Sequence, residues 1–256
     1  MPPSENSFPT LLFWPGHFLY IGRAVDTAVH NHHAIQIAIA LEAPIEVITD
    51  AGTFSHPAVM IDSDVPHQCK THGGSFALIN IDPQTNVGAA LKKDYLQERG
   101  AAALPATIAE NYVAQLKPLL AVHNSTQDIF NLTNHFLASV AQTLVPVPLD
   151  DRIKKVLALL RTPDQQHRKI DELADLVHMS PGRLIHLFTD QVGIPIRKYI
   201  LWEKLLASLK SLNNGTPYTH VALESGFSDA PHFNRTFKKM FGVSPTALVG
   251  SSHMDS

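Results

Sequence analysis

The stretch from Val221 to Leu248, VALESGFSDAPHFNRTFKKMFGVSPTAL, limits this chain's fold more than any other. Val221, Ala222 and Leu223 close a short helix, and Gly226 permits a tight turn at positive φ. Ser228 or Asp229 caps a second helix, in which Phe233, Phe237 and Met240 or Phe241 recur at helical spacing. The opposite face of that helix carries His232, Asn234, Arg235, Lys238 and Lys239. This pattern predicts a helix-turn-helix whose second helix reads the major groove of DNA.

The pattern occurs twice. Leu173 to Phe188, followed by Gly193 and Pro195, mirrors the later stretch: Phe188 and Phe237 are 49 residues apart, whereas Ala174 and Ala222 are 48 apart. The second turn is therefore one residue longer. Ser180-Pro181 supplies an N-cap followed by Pro at the first helical position. Between the units, Ile200, Leu201, Leu205, Leu209 and Leu212 lie on one face of a continuous linker helix over 197–212. Such a helix fixes the separation of two recognition helices, which suits successive major grooves about 34 Å apart.

GFSD, HFNRTFKK and FGVSP closely resemble the C-terminal signature of AraC/XylS-type transcriptional regulators. The resemblance implies two helix-turn-helix units within an all-α DNA-binding domain over 150–250. It also implies an effector-binding N-terminal domain, a double-stranded DNA operator, a homodimer and RNA polymerase as a partner. The outward residues are Gly182, Arg183, Ile185 and His186 in the first unit, and Ala230, Pro231, His232, Asn234 and Arg235 in the second. Arg235 is the best base-reading side chain, because a guanidinium bonds guanine O6 and N7 together. His186 stands at the equivalent place in the first unit, where many family members carry Arg. Lys238, Lys239 and Arg168 suit phosphates, which position without specifying sequence. Leu184, Leu187, Phe188, Phe233, Phe237 and Trp202 read as packing residues. Pro231 has a purely rigidifying alternative, and His232 an alternative as a packing partner of Phe233.

Charge is divided unevenly along the chain. Residues 1–146 carry 6 Lys/Arg and 12 Asp/Glu, a net -6, whereas residues 147–256 carry 14 and 11, a net +3; the whole chain is at -3. A net +3 is modest for a nucleic-acid binder, so clusters such as Arg197-Lys198 and Lys238-Lys239 must supply the attraction to phosphate. No apolar run approaches a membrane span, and no basic segment precedes an apolar core at the N-terminus. The single Cys69 excludes an internal disulfide and fits a reducing cytoplasm.

Residues 11–82 read as β structure. Phe18 to Ile21, Ile35 to Leu41, Ile45 to Ile48, Val59 to Ile61 and Phe76 to Ile79 are short apolar runs separated by turn residues. They predict a small cupin-like or jelly-roll β-barrel over 1–103. From His30 to Ala40 the even positions are polar, then small, and the odd positions from His33 are bulky and mostly apolar. Alternation places these sets on opposite faces. The odd face should pack, and the even face forms either a cavity wall or a hydrated surface.

His30, His32 and Gln36, with His67 some thirty residues later, resemble the HxHxxxE-plus-His metal signature of cupins, with Gln36 in place of Glu. The resemblance implies an effector or metal site that suits Zn, Ni, Fe or Cu, and an amide in place of a carboxylate removes a charge from it. Cys69 shares its parity with His67, as an added soft ligand or a redox-sensitive thiol. The alternative is a hydrated histidine face beside an organic effector. DNA binding itself requires no cofactor.

From Leu104 the period becomes helical. Ile108, Tyr112, Leu116, Leu119 and Leu120 form one stripe. After a cap at Ser125, Ile129, Phe130, Leu132, Phe136, Leu137, Val140 and Leu144 form another. These two amphipathic helices, over 104–145, cover the barrel or pair in a dimer, or both. Val145-Pro-Val-Pro148 breaks the helix, making 146–149 a stiff linker. The architecture expected is two-domain α+β: a β-barrel with two helices, then a DNA-binding domain. The function expected is an effector-controlled cytoplasmic transcription regulator and not an enzyme. The alternatives are a cupin-type metal-dependent enzyme with an accessory C-terminal module, and a barrel that has lost its ligand and only dimerises.

Overall fold

The structure, a computed structural model, describes residues 9–23, 26–97, 99–121, 126–142, 144, 146–162 and 168–249. The cap expected at Ser125 and the linker residue Val145 lie outside the described residues. The described chain divides into two compact units, one reaching to Pro146 and also including Asn234 through the last helix, the other comprising Val147–Phe233.

Among the described residues the first unit contains the strands β1 (Thr10–Trp14), β2 (His17–Arg23), β3 (Ile35–Ala40), β4 (Ile45–Thr49), β5 (Gly52–His56), β6 (Ala58–Ile61), β7 (His67–Lys70), β8 (Ser75–Ile81) and β9 (Ala101–Ala103). They form a six-stranded antiparallel sheet in the order β1-β2-β8-β3-β6-β9 and a three-stranded sheet in the order β5-β4-β7. All five predicted runs lie in strands except for Leu41, which falls in the turn after β3. The expected barrel is corrected, because no closed barrel forms among the described residues. The turn at residues 41–44 carries the chain from β3 in one sheet to β4 in the other, and the two sheets keep separate edges.

β3 shows why the alternation matters. Ile35, Ile37 and Ile39 are fully buried in a core with Leu19, Ile21, Met60, Ile79, Tyr112, Leu116, Phe136 and Leu137. Gln36 and Ala38 point the other way and are buried too, and the Gln36 amide reaches Cys69 Sγ on β7, 3.6 Å away. The even face is thus an interior wall between the two sheets rather than a hydrated surface. His30 and His32 precede β3 instead of extending it. Asn31 and the residues on either side follow an irregular path, in which His30 forms an isolated bridge with His67.

Helix α1 (Asn86–Leu91) runs into a π-helical turn (Lys92–Leu96), and α2 (Ala106–Leu120) and α3 (Thr126–Val140) follow. The latter two pack through Tyr112 and Phe136, with ring centroids 4.5 Å apart, and Tyr112 Oη lies 3.1 Å from Thr133 Oγ1. Both helices contribute to the core under the six-stranded sheet, which is the covering role read from their stripes. Leu144, placed on the second stripe, is exposed.

The helical region comprises α4 (Asp151–Leu160), α5 (Ile170–Leu176), α6 (Pro181–Val192), α7 (Ile196–Asn213), α8 (Tyr218–Glu224), α9 (Ala230–Phe241) and α10 (Pro245–Val249). The Asp150 side chain caps α4 by accepting from the Arg152 amide. Ile153, Val156, Leu160, Leu173, Leu184, Phe188 and Tyr199 build the core around α4 to α7. The predicted linker helix is α7, continuous over eighteen residues, with Leu205, Leu209 and Leu212 buried and Trp202 packed as expected.

Candidate nucleic-acid interface and histidine cluster

The two helix-turn-helix units are α5-α6 and α8-α9. Their turns repeat the same hydrogen bonds: the Met179 amide donates to Ala174 O at 2.9 Å, and the Phe227 amide donates to Ala222 O at 3.2 Å. Both turns need one residue in the left-handed region. Gly226 takes it at φ 76°, and His178 takes the equivalent place at φ 53°.

Capping sets where each recognition helix begins. Ser180 Oγ accepts from the Arg183 amide at 3.3 Å, with Pro181 in the first turn of α6. Asp229 caps α9: its Oδ1 accepts from the His232 amide at 2.6 Å and its carbonyl accepts from Phe233. Of the two residues expected to cap this helix, Asp229 does so, and Ser228 Oγ bonds to the Asp229 carboxylate and to His232 Nδ1.

Each recognition helix has one buried and one exposed face. Leu184 and Phe188 are buried on α6, and Phe233 and Phe237 on α9. Gly182, Arg183, Ile185 and His186 are exposed on α6; Pro231, His232, Asn234, Arg235, Lys238 and Lys239 are exposed on α9. Ala230 is half-buried, and its carbonyl accepts from Tyr218 Oη. The His232 ring stands edge-on to Phe227, 5.4 Å between centroids, so part of that side chain braces the turn. Arg168 is close to Glu172, one turn on in α5.

The second constellation lies in the first unit. One ring nitrogen from each of His30, His32 and His67 lies within 4.8 Å of the others, and all three side chains are buried. Each ring is fixed by a backbone carbonyl: Nδ1 of His30 lies 2.9 Å from Ala28 O, Nδ1 of His32 3.1 Å from Ala34 O, and Nδ1 of His67 2.9 Å from Val65 O. A carbonyl oxygen only accepts, so Nδ1 carries the proton in all three rings and Nε2 keeps its lone pair. His32 Nε2 lies 3.1 Å from Gln36 Oε1, and His67 Nε2 is buried without a partner among the described residues.

Burial keeps the rings neutral. It lowers the His30 pKa to about 3, with a further lowering from His67; it holds His32 well below the ordinary value and lowers His67. Cys69 is not in the cluster, and burial pushes its thiol up to about 12. Local sequence missed the far wall of this site. Phe241, Val243 and Leu248 line the cavity with His30, His32 and Gln36, and the Ala28 amide donates to Gly242 O at 2.8 Å.

Two capped helices, each with one buried and one exposed face and each preceded by a short helix and a left-handed turn, define a double helix-turn-helix domain. Residues 173–250 match a helix-turn-helix domain family. The arabinose operon regulatory protein of Salmonella typhimurium is 33% identical over 116 residues, 43% of this chain and 40% of that protein. The transcriptional activator RhrA of Rhizobium meliloti is 28% identical over 169 residues, 62% of this chain and 53% of that one. The chain thus spans about half the length of these relatives or less. An apo ToxT variant from Vibrio cholerae shares the fold, with a TM-score of 0.61 at 10% identity over 91% of this chain and 97% of that one. Residues 173–250 thus form a helix-turn-helix domain similar to that of these transcriptional regulators. Among the described residues no helix is long and apolar enough to cross a membrane.

Proposed function

We propose that this protein is a cytoplasmic, sequence-specific transcription regulator that binds a double-stranded DNA operator through α6 and α9 and is controlled by an effector held between its two β-sheets. The observation that carries the reading is α9: a buried Phe233–Phe237 stripe behind an exposed face of Asn234, Arg235, Lys238 and Lys239. Arg235 reads bases, with His186 in the corresponding place on α6. Lys238, Lys239 and Arg168 hold phosphates. RNA polymerase is the partner at a promoter, and α2 and α3 supply a homodimer contact beside a groove of about 230 Å³ lined by Asn111, Gln115 and His135.

The effector acts by binding one arrangement of the sheets more tightly than another, since only differential affinity shifts such an equilibrium. The Ala28–Gly242 hydrogen bond ties the segment before the histidines to the residue that ends α9, which gives an effector a short path to that helix. ToxT has been solved with an unsaturated fatty acid bound. The histidine-lined cavity of this chain is only about 30 Å³, far below the roughly 300 Å³ or more of an organic-ligand pocket.

The reading is tested by selecting duplexes from a random pool with the purified full chain. Enrichment of a two-part motif, with affinity falling steeply as salt rises, is expected. Salt-dependent binding without any enriched sequence would overturn it.

A further inference from the structure

We infer that His30, His32 and His67, with Gln36 as a fourth donor, form a binding site for a single divalent transition-metal ion. As the regulatory ligand, the ion rests on the proposed function; as a site, it stands on the geometry alone.

The first argument is the arrangement of lone pairs. Three imidazoles are buried together, each with Nδ1 committed to a backbone carbonyl. That is the outer-shell arrangement that orients a metal-binding histidine and turns Nε2 toward the ion. His67 Nε2 has no hydrogen-bond partner among the described residues, though it is fully buried. An unpaired polar atom at such depth is destabilising, and a ligand bond would offset that cost.

The second argument is a clash of acceptors. With its proton on Nδ1, His32 presents a lone pair from Nε2 to Gln36 Oε1 at 3.1 Å. Two acceptors at that distance repel unless the amide is reversed or a cation joins them. Ligand atoms about 2.1 Å from an ion lie roughly 3.0–3.4 Å from their neighbours, so this pair already has the spacing of two ligands on one ion. The nitrogens of the trio, within 4.8 Å of one another, need a modest rotation of the rings to close on the same centre.

The third argument is size. A water-sized guest needs about 10–15 Å³ of accessible volume, so the cavity of about 30 Å³ that His30, His32 and Gln36 line has room for one or two waters beside an ion held by the trio. Neutral imidazoles and an amide oxygen suit Zn, Cu, Fe or Ni rather than Mg or Ca. Among the described residues no carboxylate belongs to the cluster, so a bound dication keeps its full charge. Gln36→Glu should therefore tighten binding.

The test uses the full chain purified without chelators. Elemental analysis and Zn²⁺ titration are expected to give one ion per chain, and Co²⁺ in place of Zn²⁺ to give visible absorption bands. His30→Gln and His67→Gln should each weaken Zn²⁺ binding at least a hundredfold, His72→Gln should leave it unchanged because that ring is exposed beside Glu46 and outside the cluster, and Gln36→Glu should strengthen it about tenfold. Long-range nitrogen–proton spectra of the wild type should show Zn²⁺ moving the Nε2 signals of these three rings and retaining Nδ1–H, a readout that needs no variant to fold. A folded wild type that takes up no Zn²⁺ or Co²⁺ at 100 µM (about tenfold over protein), or whose Zn²⁺ shifts other histidines, would overturn the inference. If that same protein still selects its operator, the metal site alone has failed; metal uptake without operator selection instead removes the regulatory reading.

Discussion

His30 and His67 exchange backbone hydrogen bonds in both directions, each amide donating to the other's carbonyl at 2.9 Å, and their rings lie 4.2 Å apart. This isolated bridge brings the approach to β3 against the start of β7. Two residues 37 positions apart are thereby held as rigidly as strand neighbours, although only His67 lies in a strand. The backbone, not the side chains, assembles the cluster.

Gly242 ends α9 at φ +74°, and a Cβ there would come within 2.6 Å of His30 Nδ1 and 2.7 Å of Ala28 O. Gly242→Ala adds left-handed strain of about 1–2 kcal/mol to a steric conflict with backbone, so a loss of at least about 2 kcal/mol is expected in urea unfolding. A change below about 0.5 kcal/mol would mean that this turn does not pack on the His30 segment.

His178 occupies the left-handed position that Gly226 takes in the second unit. His178→Gly relieves strain of about 1–2 kcal/mol and adds unfolded-chain entropy of about 0.5–1 kcal/mol. The net expectation is a gain of about 0.5–1 kcal/mol, read as a rise in Tm; a fall in Tm would contradict the equivalence of the two turns.

His17 packs against Trp14 and stacks on Phe130, with ring centroids 5.3 and 6.3 Å away, and its Nε2 is buried without a partner among the described residues. Burial lowers its pKa below the ordinary 6.5. Folding therefore favours the neutral ring: the contribution is fully present above pH 6.5 and is lost as pH falls below that value toward the folded-state pKa. His17→Phe should flatten the decline in stability below pH 6.5 while leaving neutral-pH stability within about 1 kcal/mol. An unchanged acid slope would exclude His17 as a contributor.

The helical half was legible in the sequence because its signals are local. Cap, Pro at the first turn, phenylalanines at helical spacing and a turn glycine all fall within one window, and α6, α7 and α9 lie where they were read. β3 was legible as an alternation, and its odd residues do enter the core. The strand is nevertheless shorter than its alternation, because His30 and His32 follow the same parity while an irregular backbone, not a strand, presents them. β5 carries little apolar signal, being mostly exposed, and β7 holds only His67-Gln-Cys-Lys70. The cavity wall from Phe241, Val243 and Leu248 had no local signal at all, since some two hundred residues separate it from His30 and His32.

Arg235 tests the central claim most directly. On the selected duplex, Arg235→Ala should weaken binding by about 1–3 kcal/mol and lose discrimination at the base pair it reads. Lys238→Ala should weaken selected and shuffled duplexes alike and lower the salt slope by about one. The measurement to make is binding of wild type and both variants to the selected duplex and to its shuffled counterpart across a salt series. Loss of specificity confined to Arg235→Ala is the predicted result; equal effects of the two variants on both duplexes would contradict sequence reading by α9.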